Sequence, residues 1–101
     1  MKKLSKYKNY KVREWVAKNP NCPLDVLKKL SEHEDDTVRV RVAKNPNCPP
    51  DILKKLSEDE HFLLRAWVAG NPNCPSDILE KLTNPEIEKS ESVRFQAKET
   101  L

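Results

Sequence analysis

Glycine is almost missing from this chain: Gly70 is the only one among 101 residues. A glycine-rich loop that cradles phosphate with backbone N–H groups is therefore excluded. Aromatic side chains are scarce, two each of tryptophan, tyrosine and phenylalanine, which rules out a large aromatic core. No apolar run approaches the ~20 residues of a bilayer-crossing helix. The opening MKKLSKYKNYK interleaves lysine with everything else, where a secretory signal needs an unbroken apolar stretch. A soluble, cytoplasmic protein is expected. There is no CxxC pair and no cysteine–histidine cluster, and no serine or cysteine has a histidine at an activating spacing. Neither an enzyme nor a bound metal or cofactor is expected.

What is present is proline, eight residues of it, and its placement is periodic. VREWVAKNPNCPLDVLKKLSEHEDDT begins at Val12, VRVRVAKNPNCPPDILKKLSEDEHFL at Val38 and LRAWVAGNPNCPSDILEKLTNPEIEKSES at Leu64. VRFQAKETL opens a fourth unit at Val93, so successive offsets are 26, 26 and 29 residues. The three extra residues of the last interval fall in the Asn84 to Ser92 stretch, where a loop absorbs them at small entropic cost. The chain divides into a basic capping segment, 1–11, and one repeat domain, 12–101, with units 12–37, 38–63, 64–92 and a partial 93–101.

Each unit reads as two short helices about a rigid corner. Val12/Val16, Val38/Val42 and Leu64/Val68 are spaced i, i+4, with Ala17, Ala43 and Ala69 adjoining, as on the buried stripe of a helix. Asn19, Asn45 and Asn71 tolerate the left-handed conformation that closes a helix, and Pro20, Pro46 and Pro72 cannot continue it. Pro23, Pro49 and Pro75 suit the first position of the next helix, and Asp25, Asp51 and Asp77 meet its free N–H groups. Val26/Leu27/Leu30, Ile52/Leu53/Leu56 and Ile78/Leu79/Leu82 then face inward. One unit cannot bury enough apolar surface to offset its own ordering, so stacking is compulsory and the end units should be modified. Leu4, Tyr7 and Tyr10 are expected to fold over the open edge of the first unit; Ala97 and Lys98 give the last one a polar edge. The fold expected is an all-α helical-repeat solenoid of three 26-residue repeats plus a partial C-terminal capping repeat.

The recurring VRxxVAxNPNxPxDxLxxL resembles the variant leucine-rich repeat family, relatives of the helical HEAT-type arrays, closely over residues 12–83 and loosely over 93–101. The resemblance implies a right-handed superhelix of short helices and a scaffold of unassigned cargo. Its best-known relative carries a cysteine cluster for an iron–sulfur centre ahead of the repeats; this chain has no cysteine before Cys22, so that cofactor is not implied.

Four sets of residues are candidates for function. Cys22, Cys48 and Cys74 stand where Ser, Thr or Asp ordinarily caps a helix. Equivalent positions in packed helices lie ~8–10 Å apart, too far for a disulfide, which needs Cα atoms within about 7 Å. Packing or weak capping is the structural reading, and thiol reactivity raised by a helix N-terminus is the functional one. Arg13, Arg39, Arg65 and Arg94 recur at one position of every unit, forming either a clamp for phosphate or carboxylate or a structural ladder. In the ladder each arginine pairs with an acidic neighbour such as Asp25, Asp51 or Asp77, or with free carbonyls.

Trp15, Arg41 and Trp67 align at the fourth place of the first helix, with Glu14, Val40, Ala66 and Phe95 beside them. A guanidinium between two indole faces would make this row a self-satisfied seam; left open, it is an anchor patch for a partner. His33 and His61 are not repeat equivalents and lie in acidic connectors that read as a solvated edge.

The net charge of +3 is uneven: Lys2, Lys3, Lys6, Lys8 and Lys11 leave the body slightly acidic. These lysines, with Tyr7, Tyr10 and the arginine row, support a rival nucleic-acid reading. That binding would weaken steeply with salt, whereas an aromatic-anchored protein or peptide contact would hardly respond. The favoured partner is a protein or peptide, bound by a monomer or a weak end-to-end dimer.

Overall fold

The computed structural model describes the backbone of residues 10–101 and the side chains from Val12 onward. Among these residues it is all helical: α1 Tyr10–Lys18, α2 Leu24–Leu30, α3 Asp36–Lys44, α4 Pro50–Leu56, α5 Phe62–Ala69, α6 Ser76–Thr83 and α7 Glu91–Thr100. No helix among them is long and apolar enough to cross a membrane. The expected cover of Leu4, Tyr7 and the Tyr10 side chain lies outside the described residues.

Helices of seven to ten residues do not persist alone in water, so each is held by what it packs against. The odd-numbered helices form one layer in which α1 packs on α3, α3 on α5 and α5 on α7. The even-numbered helices close the other side. α2 touches α1 and α3, α4 touches α3 and α5, and α6 packs on α7. A single apolar core runs between the layers through Leu27, Val38, Val42, Leu53, Leu64, Val68, Leu79 and Val93. The result is elongated, 47 × 23 × 17 Å, as expected when units add along one direction.

Side-chain caps start the first helices of the later units: Asp35 accepts from Thr37 N–H at 2.9 Å, His61 from Leu63 N–H at 3.3 Å and Ser90 from Val93 N–H at 3.4 Å. The second helices start differently. Pro23, Pro49 and Pro75 are themselves the cap residues, extended at φ −61, −73 and −61, and have no N–H to leave unpaired. They stand one place earlier than the sequence reading put them, and the cysteines accordingly precede the cap. The three-residue insertion is taken up by the turn after Asn84, which carries Glu88 inward.

Two further expectations are corrected. No described residue outside glycine has a positive φ, and Asn45 closes α3 in extended geometry, φ −67 and ψ 126. The following proline forces that conformation, so the asparagine serves another purpose. Val12 and Val16 do not lie on a buried stripe: they are 52% and 36% exposed, whereas Val38, Val42, Leu64, Val68 and Val93 are sealed. The first helix has no preceding unit against it among the described residues.

Candidate functional site

Every helix leaves its last carbonyls without intrahelical partners. Here the next unit supplies them with donors. Asn45 Nδ2 donates to Ala17 O at 2.6 Å and Asn19 O at 2.9 Å, and Asn71 Nδ2 donates to Ala43 O at 2.7 Å and Asn45 O at 3.0 Å. The Oδ1 atoms accept from the N–H two residues on, at Asn47 and Asn73. Asn47 and Asn73 in turn donate through Nδ2 to Pro20 O and Pro46 O. The paired asparagines of the second and third NPN corners thus lock their unit to its predecessor. Sequence reasoning assigned the first asparagine a backbone role only and gave the second none. Their identity in all three copies was the available signal.

The arginines form a second rail along one edge. Arg39 donates to His33 O at 2.7 Å and pairs with Asp59 at 3.0 Å. Arg65 donates to Asp59 O at 2.7 Å and grips both oxygens of Glu88 at 2.7 and 2.9 Å, and Arg94 donates to Glu88 O at 2.7 Å. Arg13 Nη1 lies 2.7 Å from His33 Nε2. Arg39 and Arg65 so tie the connector before them to the connector after them. Asp25, Asp51 and Asp77, offered as partners by the sequence, are exposed at the second-helix starts and do not pair with the arginines. The connector acids take that role because the inserted loop and the preceding turns carry them to the rail.

Glu88 is only 3% exposed. Burial pushes its carboxyl up, but hydrogen bonds from Arg65 and the Ser90 N–H, with the charges of Arg65 and Arg94, bring it below the ordinary glutamate value. Chiefly by accepting that hydrogen bond from Arg65, Glu88 also raises the guanidinium's affinity for its proton.

The thiols are all buried and free. Burial, reinforced by Asp51, pushes Cys48 up to about 12; burial and Asp77 push Cys74 up to about 11; Cys22 moves the same way, with Asp25 assisting. Desolvation outweighs the pull of a helix N-terminus, so the environment opposes thiolate formation. Among the described residues no three His, Cys, Asp or Glu side chains gather to hold a metal.

The aligned row is open. Trp15 is 71% exposed and Trp67 40%. Arg41 does not sit between the indoles: its Nε lies 3.5 Å from Glu14 Oε1, buried and without a hydrogen bond. Lysines occupy the indole faces, Lys18 Nζ 5.6 Å from the Trp15 centroid and Lys44 Nζ 4.3 Å from that of Trp67. The second pair crosses from α3 to α5, because Lys44 lies one turn beyond the arginine in the same exposed strip. An open groove of about 310 Å³ runs between these helices, lined by Val40, Arg41, Lys44, Leu63 and Trp67. At one end His61 Nε2 meets Asp36 Oδ2 at 3.2 Å. Val40, which lines the groove, and Ala66 are both partly buried against the core, and Phe95 is exposed.

No family model, curated protein or solved structure matches this chain.

Proposed function

We propose that the chain is a right-handed helical-repeat solenoid of the variant leucine-rich repeat kind, a noncatalytic scaffold that binds a protein or peptide along the Trp15, Arg41 and Trp67 face. The observation that carries this reading is the exposure of both tryptophans at one register position, 71% and 40%, outside the core. Large aromatic side chains beside cations are the groups that dominate interface energetics. Lys18, Arg41 and Lys44 give the face a positive character that favours carboxylates on the partner. The nucleic-acid alternative loses the arginine row, since Arg39, Arg65 and Arg94 are engaged by carboxylates and carbonyls within the chain.

Selection of the full chain against a random peptide library tests the proposal. Selected peptides should be lost from Trp15→Ala and Trp67→Ala variants that keep the wild-type circular dichroism spectrum, with affinity falling about tenfold or more. Affinity that ignores both substitutions, or appears only for single-stranded DNA and collapses with salt, overturns it.

A further inference from the structure

With units counted from Val12, Val38, Leu64 and Val93, the seventh residue of one unit lies against the fourth residue of the next, and the pairs so formed differ in charge. Across the α3–α5 junction Lys44 Nζ stands 4.3 Å from the Trp67 centroid. Across the α5–α7 junction the same places hold Gly70 and Gln96, whose side chain lies 3.5 Å from where a Cβ on the glycine would stand. Across the α1–α3 junction the register sets Lys18 opposite Arg41, two cations, and Lys18 is turned onto Trp15 of its own helix. Arg41 Nε has Glu14 Oε1 at 3.5 Å but no hydrogen bond, in a place closed to water. An unpaired buried donor is costly. The guanidinium side chain is about one-third exposed and lines the groove between α3 and α5, so a planar acceptor entering there offers Nε the partner it lacks.

The groove is graded along its length. Asp36 and His61 stand at the helix starts, Leu63 and Val40 follow, and Arg41, Trp67 and Lys44 occupy the far half. His61 Nδ1 accepts from the Leu63 N–H at 3.3 Å, so the proton of the neutral ring sits on Nε2, 3.2 Å from Asp36 Oδ2. A neutral imidazole leaves the charge of Asp36 uncancelled at that end, while both cations stand at the other. Leu63 and Trp67, 46% and 40% exposed, give the walls between them apolar surface. α3 has nine residues, ~13 Å at the helical rise, which an extended segment of about four residues spans.

We infer that the α3–α5 groove selects a short peptide segment with a carboxylate at the Arg41 and Lys44 end, an apolar side chain against Leu63 and Val40, and no acid at the Asp36 end. This rests on the proposal that the tryptophan face binds a protein or peptide, and it names the chemistry of the bound segment. Charge complementarity carries the choice. A carboxylate presents two coplanar oxygens to Nε and one Nη of a guanidinium and brings a single negative charge. A phosphate brings nearly two, into a place where Glu14 and Asp36 already balance Arg41 and Lys44.

The probes are peptides selected on the full chain from a random library, lost with Trp67→Ala, and synthesised with blocked ends. They should share an acid one or two residues from an apolar residue. Changing that acid to its amide should weaken binding about tenfold on the wild-type chain and less than about twofold on Arg41→Gln, measured by calorimetric titration. Arg41→Lys keeps the charge without the paired N–H groups and should recover only part of the difference. Lys44→Gln should reduce it in part, and replaces Arg41→Gln if that variant changes the circular dichroism spectrum. A second acid on the other side of the apolar residue should weaken binding to the wild-type chain and be tolerated by Asp36→Asn. Trp67-dependent peptides without an acid, or with an acid that matters equally to wild type and Arg41→Gln, overturn this inference and leave the peptide-binding face standing. Tighter binding with phosphoserine in place of the acid overturns the carboxylate. A library that yields no Trp67-dependent peptide overturns the peptide-binding face and this inference with it.

Discussion

A single asparagine per unit does work that the apolar core cannot. Asn71 supplies both N–H groups of its amide to carbonyls of the preceding unit in a site closed to water. Asn71→Ala removes these donors and leaves Ala43 O without a side-chain partner, for a loss of about 3 kcal/mol by urea denaturation. Asn19→Ala, at the open edge, should cost well under half of that. The thiols set a pH limit by a different route. Burial raises Cys48 to about 12 and Cys74 to about 11 in the folded chain, while the unfolded thiols ionise near 9.0. The folded state therefore holds protons that the unfolded state releases. Stability is level below pH 9 and falls as pH rises toward 11 to 12. Cys48→Ala should reduce that slope in denaturation midpoints measured across this range; an unchanged slope would show that the thiols are not its source.

Between elements, the arginine rail is uneven, and its weak point is its first connector. Asp59 accepts from the His61 N–H with one oxygen and from Arg39 with the other, and Glu88 likewise serves Ser90 and Arg65. His33 occupies the same place, with Nδ1 accepting from the Asp35 N–H at 3.0 Å and Nε2 2.7 Å from the Arg13 guanidinium. A neutral imidazole has one acceptor nitrogen, so it cannot satisfy both donors, and a carboxylate can. His33→Asp is therefore expected to raise stability by about 1 kcal/mol, measured as the shift in denaturation midpoint, with Arg13→Ala cancelling the gain. The register arithmetic that paired His33 with Asp59 was open to inspection in the sequence. The meaning of that pairing was not, because connector residues have no helical period to say where they point.

Among the described helices, stability should rise from the first unit toward the last. Among the described residues α1 has an exposed flank and a half-satisfied rail, while α7 is packed on both α5 and α6. Native-state hydrogen exchange should show protection rising from α1 and α2 toward α5, α6 and α7. Uniform protection along the chain would mean that the units unfold as one block and that the open edge carries no penalty.

The unit length, the order of helix, corner and helix, the inward faces of the second helices at Leu27, Leu53 and Leu79, and the place of the insertion were all legible in the order of residues. They follow from local rules, since proline geometry and apolar spacing act within one unit. Which carboxylate each arginine grips and what the asparagine amides hold emerge only once the units are stacked. So does the reason that Val12 and Val16 stand in water while Val38 and Val42 are sealed. Those pairs are the same residues in the same local setting, and their fates differ because burial depends on a preceding unit that only the second pair has among the described residues.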